Sequence, residues 1–531
     1  MKTLFSGQIR SFAGSTGDQS ESFLVDEDGL IKAMGDAKTL SAQHPDAKQV
    51  HLDGWIMPGL IEPHGHPATA AVFSSDRVVD IRPVVVPTAE GVMAAIRDAP
   101  AAKPAAVYAN GWDALLQRGL PEPDIGLLDE LAGDTPLVIV HNSGHSAYFN
   151  TAAAHAAGID RNTPDPAGAS YGRDAHGELT GVATEAAALE TVAAPLLAAA
   201  QADMPRLLAT HFADLSRRGY TTVADLSWNP ELTPVAEAMR DAGTLPIRLR
   251  TYEMSRPGGT PAARGNTDPF VRQVGVKTWS DGSPWIGNIA TSFAYLDTPA
   301  TRALGLEPGH IGTANYTATE LLDIAEPYAA AGWQLACHAH GDRAIDDTLD
   351  VYETLVKRHN LSDHRFRLEH VGAMTPEQFE RAAALGVTVS LFVDHITYWG
   401  EVLVNDLFGA KHGGAWADAG AAFAAGHRAT FHNDGWVTPN EAFRNMAVAE
   451  TRTSRSGYVM PGGTPVTREQ ALQAHSTNAA WQLFSEHEIG ALAPGLFADF
   501  IVVDRDPLSV APEELAQTQV LATYLGGKQV N

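Results

Sequence analysis

The sequence predicts an α/β protein centred on a (β/α)8, or TIM, barrel, with a β-sandwich domain built from both chain ends and a large insertion after the first barrel strand. Three observations support this fold class. Eight short runs are rich in Val, Ile, Leu and Thr, most of them follow an amphipathic helical stretch, and further strand patterns lie at both chain ends. Eight strands separated by helices fit a closed barrel better than a doubly wound sheet.

The eight candidate barrel strands are spread over most of the chain. They are residues 55–66, 221–228, 247–254, 274–282, 333–342, 366–372, 387–395 and 429–435. Two of the helical stretches between them, "ATELLDIAEPYAAAG" and "TPEQFERAAALG", end in a glycine, where a helix C-cap belongs. This order of elements is typical of a parallel barrel.

The regions outside the barrel predict two further domains. Residues 1–54 show short strands with turn signals, "VDEDGLIKAMGD" being hairpin-like, and residues 482–531 show the same pattern, so we expect these two segments to form one composite β-sandwich. The barrel comprises residues 55–66 and 215–481. Residues 67–214 are far too long for a loop between two barrel strands. Their Ala-rich helical stretches predict an inserted subdomain that could act as a lid.

Composition narrows the class of protein and its partners. The chain of 531 residues is 44% hydrophobic and carries a formal net charge of −26 without a basic stripe, which argues against nucleic acid and anionic membranes as partners. The acidity itself does not identify a small-molecule substrate. No leader pattern or long apolar run is seen, so we expect a cytoplasmic location. The single cysteine, Cys337, excludes a disulfide framework and a thiolate zinc cluster. Any metal must therefore have nitrogen and oxygen ligands.

The stretch "PGLIEPHGHP" places two histidines, His64 and His66, one residue apart at the end of an apolar run. Alternate residues of a strand face the same side, so both point into the barrel mouth if either does. Alone, this spacing also fits two hydrogen-bonded histidines near a turn. Other strand ends carry the same type of residue, namely Lys277, His338, His370 and Asp434. Barrel enzymes carry their chemistry at these ends, so we interpret the six residues as a site.

The chain resembles the amidohydrolase superfamily, and within it the YtcJ-like branch that includes N-substituted formamide deformylases. The resemblance extends nearly end to end. It is carried by "IMPGLIEPHGHP", "NSGHSAYFNTAAAHAAGI", "GELTGVATEAA", "GVKTWSDGS", "CHAHGDRAID", "RLEHVGAMTPEQ" and "GALAPGLFADFIVVDRDP". It implies a metal-dependent hydrolase with a barrel and a β-sandwich made from both chain ends, in agreement with the pattern above.

The resemblance also implies a metal site. It assigns His64 and His66 to one divalent ion and His338 and His370 to a second, with Zn2+ expected at both. Asp434 would bind metal and shuttle protons, which makes it the expected catalytic residue. His340 repeats the two-residue spacing of His338, so strand geometry alone does not choose between them, and only the resemblance favours His338.

Lys277 would bridge both ions as a carbamate formed with carbon dioxide, because an ammonium group cannot ligate a cation whereas a carbamate offers two anionic oxygens. The alternatives are an ordinary partly buried ion pair and, more remotely, a Schiff-base lysine. The two residues before His64 depart from the family pattern. The family more often has "DSHVHL" or "DSHTHP" where this chain has "EPHGHP", so Glu62 and Pro63 could change how the first histidine is oriented.

Candidates for substrate binding are His145, His395, His340 and Trp285, and for His145 and His395 the alternative is a helix-capping or core histidine. Aromatic residues near the strand ends suit an apolar or aromatic substrate. We therefore predict hydrolysis of a carbon–nitrogen bond in an amide, N-formyl or N-acyl compound by a metal-activated hydroxide.

The alternatives on the same scaffold are an ester or lactone hydrolase, an isomerase or a decarboxylase. A noncatalytic binding protein would lack ligands, and all six are present. A homodimer is compatible with an acidic enzyme of this family.

Overall fold

The structure, a computed structural model, describes residues 2–531. At its centre, eight parallel strands form a nearly closed barrel. In chain order they are Leu60–Gly65, Tyr220–Asp225, Arg248–Met254, Val271–Trp279, Gln334–Ala339, Arg367–His370, Thr388–Leu391 and Thr430–Phe431. Each predicted run overlaps one of these strands, so the α/β class and the eight parallel strands are as predicted.

The first and eighth barrel strands meet through the residues that follow them. The His66 backbone N–H donates to the Gly435 carbonyl at 3.0 Å, and the Asn433 N–H donates to Glu62 Oε1 at 3.2 Å. These bonds hold the carboxyl ends of the first and last strands side by side.

Helices cover the barrel between its strands. They are Thr233–Asp241, Pro299–Ala303, Ala318–Ala330, Asp342–His359, Pro376–Ala384, Asp394–Val402, the π-helical Leu403–Phe408, Gly409–His412, Ala419–Ala424, Ala442–Thr451, Arg468–Ala474 and Thr477–Gln482, with 3-10 turns at Pro230–Leu232 and Pro284–Ile286.

The two helices predicted above begin at capping boxes on Thr317 and Thr375, and Gly332 and Gly386 follow them with φ of +78° and +72°. Glycine reaches this conformation without a Cβ penalty. Among residues 2–531, no helix is both long enough and apolar enough to cross a membrane.

A seven-stranded sheet combines both chain ends. Its strands are Thr3–Arg10, Gln19–Val25, Ile31–Gly35, Lys48–Pro58, Phe500–Val503, Val520–Leu525 and Lys528–Gln529, and the helices Ala37–Gln43 and Pro512–Leu515 accompany it. The predicted hairpin is the antiparallel pair formed by the second and third of these strands. The strand that contains Trp55 continues beyond the predicted domain boundary at residue 54, and the chain crosses to the barrel at Gly59. A Cβ at Gly59 would overlap the Thr221 side chain.

This sheet curls so that its two halves face each other. Phe23 and Phe500 lie on strands separated by two others, and three strand spacings of a flat sheet would be about 14 Å. Their ring centroids are only 5.2 Å apart, and the Phe5 ring packs between the same halves at 5.1 Å from Phe500. The aromatic core therefore lies inside the fold of one continuous sheet.

The insertion contains a second sheet of six strands. They are Val79–Asp80, Val107–Trp112, Leu137–His141, Ser146–Phe149, Ser170–Arg173 and Leu179–Thr184, with helices Pro67–Phe73, Ala89–Ala102, Ile125–Ala132, Thr151–Ala157, Ala186–Ala202 and Met204–Arg217. The sequence predicted only the helical character of this region. Short, fully buried strands show no alternation of polar and apolar residues, so periodicity does not distinguish them from helix segments.

Candidate active site

The carboxyl ends of the barrel strands bring together all six predicted site residues: His64, His66, Lys277, His338, His370 and Asp434. Five of them are buried, and His66 keeps 12% of its side-chain exposure. Burial of this many polar side chains requires that each be satisfied by a neighbour or a ligand.

His64 is oriented by a buried ion pair behind it. Its Nδ1–H donates to Glu369 Oε2 at 2.6 Å, and Arg367 donates to both oxygens of Glu369 at 2.6 and 3.0 Å. The other nitrogen, Nε2, faces the site, with Lys277 Nζ at 3.2 Å and Asp434 Oδ1 at 3.6 Å. The carboxylate therefore fixes which nitrogen His64 presents.

His66 and Asp434 face each other across the barrel seam. His66 Nδ1 is hydrogen-bonded to Ser227 Oγ at 2.7 Å, which leaves Nε2 at 3.2 Å from Asp434 Oδ1. Asp434 Oδ1 is buried, yet it accepts no hydrogen bond from residues 2–531. A carboxylate oxygen of this kind, close to two imidazole nitrogens, suits a cation as its partner.

His338 and His370 lie together on the neighbouring strands, with ring centroids 4.5 Å apart. His338 Nε2–H donates to the Gly282 carbonyl at 2.7 Å, so Nδ1 is left. His370 Nδ1 is hydrogen-bonded to His432 Nε2 at 3.1 Å, and His432 Nδ1 to Ser390 Oγ at 2.8 Å. His370 therefore presents Nε2. Metal-binding histidines in proteins are held through their second nitrogen in this way.

The donor set fits divalent metal ions. Burial lowers the pKa of His64, His338 and His370 well below the usual histidine range, so these rings are neutral, as ligation requires. Three groups have ligand atoms within 4.8 Å of one another: His64, His66 and Asp434; His338, His340 and His370; and His64, His370 and His432. Nitrogen and carboxylate ligands of this type suit Zn2+.

Lys277 is buried, with 1% of its surface exposed. Among the described residues no carboxylate lies within 4.0 Å of Nζ, and its close contacts are His64 Nε2 at 3.2 Å and the Trp279 ring centroid at 5.2 Å. Burial lowers its pKa to about 8, although Glu369 and Asp434 oppose this effect. The ion-pair alternative raised by the sequence is therefore not what the structure contains.

Two strand ends at the site have unusual backbone conformations. The φ angles of His370, Val371 and Asp434 are +68°, +46° and +52°. A positive φ is uncommon outside glycine, especially for a β-branched residue such as valine, and such residues concentrate at functional sites. At His370 this conformation interrupts strand alternation, so that Glu369 and His370 both reach the barrel interior.

The insertion contributes His145 to the site. Its ring centroid lies 5.0 Å from that of His338, and its Nδ1–H donates to Glu185 Oε2 at 3.1 Å. Asn288 donates to the other oxygen of Glu185 at 2.7 Å. Burial opposes protonation of His145, but the Glu185 carboxylate outweighs it and raises the pKa.

The other predicted substrate residues form an aromatic wall beside the histidines. His340 stacks on His395 at 5.3 Å, and His395 packs against the edge of Trp285 at 4.9 Å. Trp416 Nε1–H donates to His395 Nδ1 at 3.1 Å, and Trp399 stacks on Trp285 at 4.7 Å. His340 Nδ1 is buried without a hydrogen-bond partner in the described chain.

Two site residues were missed by the sequence analysis. Glu369 adjoins His370, and strand alternation would place the two on opposite faces. His432 did carry a signal, because it precedes Asp434 by two residues and repeats the spacing of His64 and His66.

A parallel barrel with neutral histidines and a carboxylate at its carboxyl ends defines a metal-dependent barrel hydrolase. The chain belongs to the amidohydrolase family, whose profile matches residues 53–531. This match confirms the predicted superfamily and a hydrolase acting on carbon–nitrogen bonds other than peptide bonds.

Individual relatives are similar over nearly their whole length. The N-substituted formamide deformylase of Arthrobacter pascens is 28% identical over 518 residues, covering 94% of this chain and 93% of that protein. YtcJ of Bacillus subtilis strain 168 is 24% identical over 100% of this chain and 99% of its own. The crystal structure of an uncharacterized metal-dependent hydrolase from Pyrococcus horikoshii OT3 superposes with a TM-score of 0.73 at 21% identity, covering 97% and 99% of the two chains, and shows the shared fold.

Proposed function

We propose that this chain hydrolyses the carbon–nitrogen bond of a small amide, N-formyl or N-acyl compound with two divalent metal ions, zinc in the first instance. The observation that carries this proposal is Asp434 Oδ1, which is buried, accepts no hydrogen bond within residues 2–531 and lies 3.2 Å from His66 Nε2. The formamide deformylase named among the relatives supports the choice of bond.

The proposed metal ligands are divided between the two sides of the barrel mouth. His64 and His66 hold one ion, His338 and His370 hold the other, and Asp434 contributes a carboxylate oxygen. When bound, the ions supply Lewis-acid polarisation of a carbonyl and activate water near neutral pH.

Lys277 completes this ligand set as a carbamate. Its position supports the proposal, because Nζ is buried beside His64 Nε2 and has no carboxylate partner in the described chain. A cationic ammonium would repel the ions, whereas a carbamate would offer two anionic oxygens as ligands.

The hydrogen bonds favour His338 over His340 as the ligand. His338 is held by the Gly282 carbonyl through Nε2, the arrangement common to metal-binding histidines. Neither ring nitrogen of His340 has a hydrogen bond in the described chain, and its stacking on His395 places it with the aromatic wall. We therefore assign His340 to substrate contact.

Asp434 moves the proton in this scheme. Its second oxygen, Oδ2, takes a proton from the attacking water and passes it to the leaving nitrogen, which must be protonated before the bond can break. His145, held by Glu185, lies on the opposite side of the site next to His338 and orients the substrate carbonyl.

The aromatic wall sets the proposed substrate class. Trp285, His395 and Trp399 pack face to face and edge to face beside the histidines. Such rings bind flat apolar groups through contact area and the ring quadrupole. An aryl or alkyl group on the nitrogen or acyl side fits this environment.

The first test measures metal content per chain by inductively coupled plasma mass spectrometry, with Lys277→Ala beside the parent protein. We expect about two divalent ions in the parent and fewer in the variant, because the carbamate would supply oxygen ligands to the site. Equal occupancy of one ion in both proteins would remove Lys277 from the site. No metal after supply of zinc and bicarbonate would refute the metal site itself.

The second test screens aryl and alkyl amides and formamides against matched esters and lactones. Turnover of amides or formamides supports the proposal, whereas exclusive cleavage of esters or lactones would assign the same scaffold to the rival hydrolase activity. Isomerase or decarboxylase activity without hydrolysis would identify the other alternative.

We also propose the three-domain division predicted from the sequence, with its first boundary moved from residue 54 to Gly59 and with the insertion as a lid. The contact between His145 of the insertion and His338 of the barrel supports this role, because opening the insertion would remove a side chain from the site. A homodimer, a cytoplasmic location and the absence of nucleic-acid or membrane partners stay predictions.

A further inference from the structure

A cavity of about 480 Å³ lies beside the barrel mouth, apart from the metal-ligand candidates. Trp436 forms part of its wall, and the same ring packs against His66 with centroids 5.4 Å apart. We propose that this cavity binds a small organic carboxylate with an apolar body. Three features of its lining support this proposal.

The first feature is an excess of positive charge, since four arginines and two carboxylates, Asp214 and Glu441, line the cavity, in a chain whose formal net charge is −26. Four arginines line the cavity: Arg82, Arg218, Arg444 and Arg455. The first three have carboxylate partners on the chain. The guanidinium of Arg455 has no ion pair and no hydrogen bond within residues 2–531, and it lies 5.0 Å from the Tyr398 ring centroid.

The second feature is an excess of hydrogen-bond donors. Arg444 and Arg455 both lie over the Tyr398 ring, at 5.3 and 5.0 Å from its centroid, so two like charges meet at one ring. Arg444 Nε and Nη2 and Trp436 Nε1 are buried without hydrogen-bond partners in the described chain, although Arg444 Nε lies 3.9 Å from Asp394 Oδ1. All of these unsatisfied atoms are donors. The partner that they call for is an acceptor with negative charge.

The third feature is an apolar side to the same cavity. Ala70, Val84, Val85 and the Trp436 ring supply this surface, and Val85 is 54% exposed at its rim. Phosphate would use the arginines but not this surface, whereas an aryl or alkyl carboxylate uses both. The volume suits a small ligand of this kind, since such pockets measure about 300–1,000 Å³.

Amide hydrolysis releases a carboxylate, so this cavity could bind the acid product of the chain's own reaction. Only this connection rests on the proposed function. Binding itself requires neither metal nor turnover. A failed amide screen would therefore leave the cavity proposal intact, and a failed binding test would leave the hydrolase proposal intact.

The test is isothermal titration calorimetry of the full chain with benzoate, with neutral benzamide and inorganic phosphate as comparison ligands. We expect saturable benzoate binding that is about tenfold tighter than that of benzamide, the contribution of one charge-assisted contact. Arg455→Gln should weaken benzoate by a similar factor. The matched control is Arg428→Gln, since Arg428 is also exposed and lies 5.0 Å from an aromatic centroid, that of Trp481, away from the cavity.

Several results would overturn the proposal. They are no saturable binding of benzoate, equal binding of benzamide, or tighter binding of phosphate than of benzoate. Unchanged benzoate affinity in Arg455→Gln would place the anion elsewhere, for example at the metal site, and would also refute it. Because Arg455 is exposed, its substitution should leave the fold intact, which circular dichroism checks.

Discussion

His64 Nδ1 donates a 2.6 Å hydrogen bond to Glu369 Oε2, although the two residues are 305 positions apart in the chain. Glu369 is in turn held by Arg367, whose remaining donors reach the Tyr252 hydroxyl and the Pro63 carbonyl. All of the charged groups in this chain of contacts are buried. The orientation of His64 therefore depends on an ion pair that contributes no ligand itself.

Glu369→Gln should damage both stability and metal binding. It leaves Arg367 buried and unpaired, so we expect the free energy of unfolding to fall by about 3–5 kcal/mol. Metal affinity should fall about 10- to 100-fold, because His64 loses its orienting carboxylate. Chemical denaturation and metal titration measure the two effects. The double variant Arg367→Met/Glu369→Gln should regain much of the stability but not the affinity, and recovery of both would contradict this role for Glu369.

Asp434→Asn should separate turnover from metal content. The amide can still offer one oxygen ligand but cannot accept a proton, so we expect most of the metal to remain while kcat falls by about two to four orders of magnitude. Asp418→Asn is the matched control, because Asp418 has the same 7% exposure and caps a helix instead. A near-normal kcat in Asp434→Asn would show that another group moves the proton.

His432 should act through His370 and not as a ligand, because both of its ring nitrogens are already hydrogen-bonded. His432→Leu removes the acceptor for His370 Nδ1, and we expect metal affinity to fall about tenfold or more. His432→Gln can restore an acceptor and should recover most of that loss. Competition with a chelator measures affinity, and circular dichroism checks the fold. Equal affinity in all three proteins would contradict the prediction.

His475 should make stability depend on pH below neutrality. Burial lowers its pKa from 6.5 to about 4. As the pH falls, His475 is therefore protonated first in the unfolded chain. The contribution of neutral His475 to stability is complete above about pH 6.5 and is lost as the pH falls towards 4. When the pH falls from about 7.5 to 5.5, the free energy of unfolding of the parent should decrease by about 1 kcal/mol more than that of His475→Gln. Urea denaturation at both pH values tests this, and parallel losses in the two proteins would refute it.

The barrel was predictable because its local signals agree with one another. The strand Gln334–Ala339 follows a helix with a capping box at Thr317 and a terminal glycine at Gly332, and its apolar run matches its burial. The same agreement recurs at the strand that begins with Thr388. A fold can be predicted from its sequence when capping, periodicity and burial agree in this way.

The site was predictable only where one residue type implied one chemistry. The two-residue spacing of His64 and His66 predicted that both face the same side of a strand, and in the structure both lie close to Asp434. The orienting role of Glu369 was not predictable, because strand alternation places it on the face opposite His370, and only the positive φ of His370 brings both to the same side. The sheet of the insertion was missed for a different reason, since a strand such as Leu137–His141 is buried on both faces and shows no alternation.

The curled sheet imposes an order on biosynthesis. Phe5 and Phe23 complete their packing against Phe500, and Phe5 also against Tyr524, both of which emerge from the ribosome after the whole barrel has been made. At about 5–20 residues per second, this delay is on the order of a minute. During that time the aromatic face of the first strands is open to chaperones and to neighbouring nascent chains. The N-terminal strands are thus protected from association with other chains only after the C-terminal strands have been synthesised.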